Sequence, residues 1–252
     1  MFIRPHSRSL GPWCPALALL LALAPAAGAQ EATLYGVAGA DGDDTNIVLA
    51  GATVRPVGPG LRPVVGLQVY RLGYDRGGTD GSTQVFAVTP SAGVEYRGSG
   101  GSVGGRVGYT LQSGDEGSGG DVDAPFIGGE GGRSGVTTSV QGNTWSTPAE
   151  LQGIASYNWA SEYLWTQAQA VLPVARVRAG TIGVGAEAVF QGETSNEAGP
   201  RYRAYELGPV LRFNNGRSFL VTLSGGLKST NVEDRDDTYF ARVAVVRYGL
   251  NF

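Results

Sequence analysis

Apolar and polar residues alternate with a period of two along the second half of the chain. In residues 181–191, Ile182, Val184, Ala186, Ala188 and Phe190 fall on one side, and Thr181, Gly183, Gly185, Glu187, Val189 and Gln191 on the other. Residues 205–213 set Tyr205, Leu207, Pro209, Leu211 and Phe213 against Glu206, Gly208, Val210 and Arg212. Residues 219–228 set Phe219, Val221, Leu223, Gly225 and Leu227 against Leu220, Thr222, Ser224, Gly226 and Lys228. This period belongs to strands with one face in an apolar medium and one face wet. Gly, Asp, Asn, Ser and Pro interrupt the pattern roughly every ten residues, as turns require.

The segmentation predicts about twelve strands: roughly 32–40, 46–56, 63–74, 84–97, 102–112, 135–145, 150–159, 163–174, 181–192, 202–213, 218–229 and 238–252. The first three and the sixth alternate poorly, so the range is about ten to fourteen. A ten-residue strand rising about 3.3 Å per residue and tilted about 40° spans about 25 Å, the height of a membrane barrel's apolar band. Connections mostly alternate between short, such as 98–101 and 214–217, and long, such as 113–134 and 193–201, with the short 160–162 connection as the exception. Short turns at one end and long loops at the other belong to an up-and-down barrel. The aromatic residues sort by depth. Tyr96, Phe213, Phe219, Tyr248 and Phe252 fall near one edge, and Phe86, Tyr109, Tyr157, Trp159, Phe190, Tyr205 and Phe240 near the other. Two such girdles mark the two water–lipid boundaries. The fold class read from this pattern is all-β, a transmembrane up-and-down antiparallel β-barrel, expected in the outer membrane with its lipid and the barrel-assembly machinery as partners.

The N-terminus reads differently. Arg4 and Arg8 precede an apolar run at 16–24, and Ala27-Gly28-Ala29 supplies small residues for cleavage. Residues 1–29 are expected to be a signal peptide and residues 30–252 the barrel. The segment holds the chain's one Cys, one His and one Met, so the processed protein would have neither thiol nor imidazole. Ser–His, Cys–His and His-based metal chemistry are thereby excluded. No cofactor, metal site or catalytic residue is expected. The net charge of −3 does not point to nucleic acid.

Charges on the wet faces are then the candidates for function: Glu95, Arg106, Glu187, Glu206, Arg212, Lys228 and Arg247. Arg or Lys facing lipid at the midplane costs about 2–4 kcal/mol, which directs these residues into the lumen. Arg242 takes the opposite parity to Arg247 and is expected to face lipid near a rim, where it could snorkel. Hairpin symmetry about 98–101 sets Glu95 opposite Arg106. Symmetry about 195–197 sets Glu187 opposite Glu206, a like-charge pair requiring a cation, an arginine from across the lumen or a retained proton.

The ending Tyr248-Gly249-Leu250-Asn251-Phe252 resembles the assembly signal of outer-membrane barrels, with Tyr248, Leu250 and Phe252 as its key positions. Within 183–248, Glu187, Gly192, Tyr202-Arg203, Leu207-Gly208, Ser224-Gly225-Gly226 and Tyr239 resemble the C-terminal half of the cellulose-biosynthesis barrel family BcsS. That resemblance implies an accessory role in exopolysaccharide production. Two function classes stand: a narrow pore for polysaccharide or small solutes, and a non-conducting structural or assembly barrel with a charge-filled lumen that binds partners through its outer loops.

Overall fold

The computed structural model describes residues 29–42, 45–75, 82–114, 134–145, 148–194, 203–216, 218–231 and 237–251. The proposed signal peptide up to residue 28, most of the 113–134 connection and Phe252 lie outside them. Twelve strands run in order: β1 Gln30–Asp41, β2 Asn46–Pro56, β3 Gly60–Asp75, β4 Ser82–Arg97, β5 Gly101–Gly114, β6 Gly135–Thr144, β7 Glu150–Asn158, β8 Tyr163–Val177, β9 Gly180–Glu193, β10 Arg203–Asn214, β11 Phe219–Thr230 and β12 Thr238–Asn251. Each pairs antiparallel with its neighbours in sequence, and β1 pairs with β12, from Glu31 opposite Asn251 to Asp41 opposite Phe240. The sheet is a closed barrel. Closure leaves no strand edge with unpaired N–H and C=O groups, which in hydrocarbon would cost several kcal/mol each.

The side chains are arranged inside out compared with a water-soluble protein. Leu61, Leu207 and Tyr239 point outward with exposures of 72%, 66% and 73%, while Lys228 and Glu187 point inward with 1% each. On β10 the outward set is Tyr205, Leu207, Pro209 and Leu211, and the inward set Ala204, Glu206, Val210 and Arg212. An outer face this apolar is stable only against lipid tails.

The end where β1 begins and β12 ends, here the lower end, has tight turns. Among them, Gly98 N–H donates to the Gly101 carbonyl at 2.9 Å, and Asn215 N–H to the Phe219 carbonyl at 3.0 Å. Longer connections gather at the upper end, including 115–134, 194–202 and 231–237. Phe86, Tyr96, Tyr109, Trp159 and Tyr205 are exposed on the outer face. Tyr157 meets Trp159 edge-on at 5.0 Å between ring centres, and Phe190 meets Tyr205 at 5.1 Å.

Strand β12 corrects the sequence reading. Tyr239, Ala241, Val243, Val245 and Arg247 alternate outward, so Phe240, Arg242, Ala244, Val246 and Tyr248 face the lumen. Phe240 is buried, and Tyr248 donates to Asn214 Oδ1 at 2.8 Å, so neither belongs to a lipid girdle. Arg247 lies opposite outward-facing Phe219 and is not pore-lining. Either parity of β12 sends one arginine outward. Arg242 and Arg247 lie equally far from the strand's ends, so depth does not choose between them. The carboxylates of β9 and β10 do, by capturing Arg242. Arg247, near the lower rim, can reach headgroups along its aliphatic stem. A β-bulge follows: Leu34 lies opposite Arg247 but Ala32 opposite Leu250, so β12 holds one extra residue, with Gly249 at a φ of 73° that favours glycine. The bulge resets parity and returns Leu250 to the side of Ala32.

Val140, mid-strand on β6, is 58% exposed on the outer face, whereas Ser139 faces the lumen. Val140→Arg is expected to destabilise the folded protein in lipid vesicles by about 2–4 kcal/mol, and Ser139→Arg by clearly less. Guanidinium unfolding monitored by tryptophan fluorescence checks this. Equal effects would contradict the inside–outside assignment.

Candidate functional site: the charged lumen

Among the described residues, three groups of ion-paired charge line the lumen. The largest runs along β7–β12 and centres on Glu187, whose side chain is fully buried on β9. Its Oε1 accepts from Arg242 at 2.6 Å and from Ser224 Oγ at 3.1 Å, and its Oε2 from Gln167 at 2.6 Å and from Gln169. Arg242 also donates to Glu206 Oε2 at 2.5 Å, and Gln191 donates to Glu206 Oε1 at 3.3 Å. Gln169 passes the network on, accepting at 2.5 Å from Arg212, which also donates to Glu150 at 3.1 Å and to Gln152 at 3.3 Å. A chain of charge-assisted hydrogen bonds thus joins β7 to β12. Four donors on one buried carboxylate compensate the loss of water around it.

At the lower end of β1–β4, Glu31 and Glu95 meet Arg55, Arg62 and Arg97. Arg55 bonds Glu31 at 3.2 Å and Glu95 at 3.3 Å, Arg62 bonds Glu95 and lies 3.9 Å from Glu31, and Arg97 reaches Glu31 at 3.3 Å. Arg97 also lies over the Trp145 ring, 5.2 Å from its centre. A third group, at the upper end, pairs Lys228 of β11 with Asp41 of β1 across β12.

These contacts place the residues singled out from sequence. Glu95, Glu187, Glu206, Arg212 and Lys228 are buried on the lumen side, and half-buried Arg106 shares their side of the wall. Two expected pairings do not form. The Gly98–Gly101 hydrogen bond centres that turn on Ser99-Gly100, so Glu95 falls opposite Gly104 and Arg106 opposite Gly93. Glu95 pairs with Arg55 and Arg62 instead. Glu187 lies opposite Gly208, and Glu206 opposite Val189, so the two carboxylates are offset by two residues. The offset avoids directly opposed like charges, and Arg242 answers the remaining repulsion by bonding both. The arginine expected from across the lumen comes from β12, two strands from Glu206 and three from Glu187.

Sequence reasoning missed Arg242 as a lumen residue, along with Glu31, Arg55, Arg62, Glu150 and the glutamines. Parity alone could have found Arg62, which sits between outward-facing Leu61 and Pro63. Groups of three or more His, Cys, Asp or Glu able to hold a metal are absent among the described residues.

No family model matches the chain, and no curated protein matches it. Solved structures do. The β domain of a Bordetella autotransporter, BrkA, superposes with a TM-score of 0.50 at 13% identity, covering 88% of this chain and 99% of that one. An outer membrane channel from Pseudomonas putida F1 superposes with a TM-score of 0.51 at 11% identity, covering 88% and 95%. The fold is that of an outer-membrane β-barrel. Its place is the outer membrane, and at these identities the likeness concerns the fold alone.

Arg242→Gln leaves Glu187 and Glu206 buried beside each other without their shared cation. It is expected to cost about 3–5 kcal/mol, with part of the loss recovered when Glu206→Gln is added. Arg247→Gln should change stability little. Unfolding midpoints of the four proteins measure this, and an Arg242→Gln as stable as Arg247→Gln would contradict the network.

Proposed function

We propose that the protein is a narrow polar pore for small solutes or a saccharide chain. The carrying observation is the reach of its ion pairs. Among the described residues, every ion pair joins strands no more than three apart around the ring of twelve, as in Arg212–Glu150 and Arg242–Glu187. Opposite walls are six strands apart. The charges are therefore held along the wall, where they line a passage, instead of bridging it as a plug would. Twelve strands also fall between eight-stranded barrels, whose interior side chains can fill, and sixteen-stranded porins with an aqueous channel.

The accessory role in exopolysaccharide production is the finer form of this reading. Its support is the resemblance to the BcsS family at Glu187, Leu207-Gly208 and Ser224-Gly225-Gly226, and Glu187 is the hub of the lumen network. Tyr202, another position of that resemblance, lies outside the described residues.

One observation favours a second reading. Val64, Val85, Val171, Val189 and Val210 are buried on the lumen face. Close packing around them suits a filled, non-conducting barrel that works through its outer loops. Reconstitution in planar bilayers separates the two. The pore reading expects discrete conductance steps from folded protein, and repeated insertions without steps would favour the filled barrel.

A further inference from the structure

Positive and negative charge are unequally divided along the lumen. On β7–β12, Glu150, Glu187 and Glu206 face Arg212 and Arg242, and the Lys228–Asp41 pair is neutral. Together these ion-paired groups sum to −1. The lower half of β1–β5 has the opposite balance. Glu31 and Glu95 are met by Arg55, Arg62 and Arg97, and Arg106 stands one strand further round on β5. Four guanidinium groups against two carboxylates leave an excess of two positive charges.

These guanidiniums also have donors to spare. Nε of Arg55 and Nε of Arg62 are buried without a hydrogen-bond partner, although Arg62 is only 3% exposed. Arg106 makes no hydrogen bond or ion pair among the described residues, and its electrostatic neighbours are Tyr35, Glu95 and Arg55. A buried donor left unsatisfied is costly, and more so when charged. The surrounding wall is built small: Gly93 lies opposite Arg106 on one side and Ser139 on the other, with Gly104 and Gly108 two residues away along β5. The Tyr35 ring lies over Gly51, where a Cβ would come within 2.3 Å of it, and its hydroxyl donates to Gln68 at 3.4 Å.

We propose that this arginine-rich sector, Arg55, Arg62, Arg97 and Arg106 around Glu31 and Glu95, is an oxyanion-binding site that makes the lumen select for small anionic solutes. Excess charge supplies the attraction, and the uncommitted guanidinium of Arg106 supplies directed bonds to carboxylate or phosphate oxygens. Arg106 is the group free to engage the solute, since Arg55, Arg62 and Arg97 are partly committed to the glutamates. Selectivity rests on the pore reading, whereas binding does not.

The test uses full-length protein folded in detergent micelles, with inorganic phosphate as the probe, followed by phosphorus NMR. Arg106→Gln breaks no ion pair, so the barrel should still fold, as heat-modifiable gel mobility would show. Saturable phosphate binding is expected, weakened about tenfold by Arg106→Gln, the equivalent of one charge-assisted hydrogen bond. Arg106→Lys and the outward Arg247→Gln should retain it. In bilayers under a KCl gradient, the zero-current potential should show anion preference that Arg106→Gln reduces. No saturable binding, or binding unchanged in Arg106→Gln, overturns the site even if the protein conducts. Binding without conductance upholds the site and overturns the pore.

Discussion

Closure of the sheet between β1 and β12 is the constraint on which the rest depends. A strand in hydrocarbon has no water to satisfy its peptide groups, so every N–H and C=O must find another strand. Twelve strands meet this by curling until the first pairs with the last, in a register that runs nearly the full length of both. Once the ring is closed, each residue has two possible environments, lipid or lumen, and strict alternation assigns them in turn. The apolar outer surface is therefore a consequence of the backbone's needs as much as of side-chain preference.

The same constraint explains the lumen charges. Ionised groups have one inexpensive direction, inward, and once inward they meet at short range in a space with limited water. Glu187 is stable there because Gln167, Gln169, Ser224 and Arg242 replace its hydration. The two-residue offset between Glu187 and Glu206 lets one guanidinium serve both. Strand β12 shows how far this coupling reaches. Its side-chain pattern is apolar on both parities, and the choice between them is made by carboxylates two and three strands away. The bulge at Gly249 then returns Leu250 to the lipid side.

The strand count and most strand bounds were legible in the sequence, because alternation and turn residues are local signals. Up-and-down order was legible in the alternating lengths of the connections. The lumen side of Glu187, Glu206, Arg212 and Lys228 followed from the parity of strands whose outer faces are plainly apolar. What could not be read locally was register and, in β12, parity. A turn centred one residue earlier than expected moved Glu95 away from Arg106 and toward Arg55 and Arg62. Arg242 and Arg247 are interchangeable to any window confined to their own strand. Both errors arise where the deciding partner is distant in sequence.

Closure itself is open to direct measurement. Ala38 and Val243 lie opposite each other across the β1–β12 seam, on the outer face. Cysteines placed at both, in a chain with Cys14 replaced, are expected to form a disulfide on mild oxidation of the folded protein. Cysteines at Ala38 and Val245, displaced by two residues along the seam on the same outer face, should not. Failure of the matched pair to cross-link while the barrel is folded, or equal cross-linking of the displaced pair, would contradict a sheet that closes in this register.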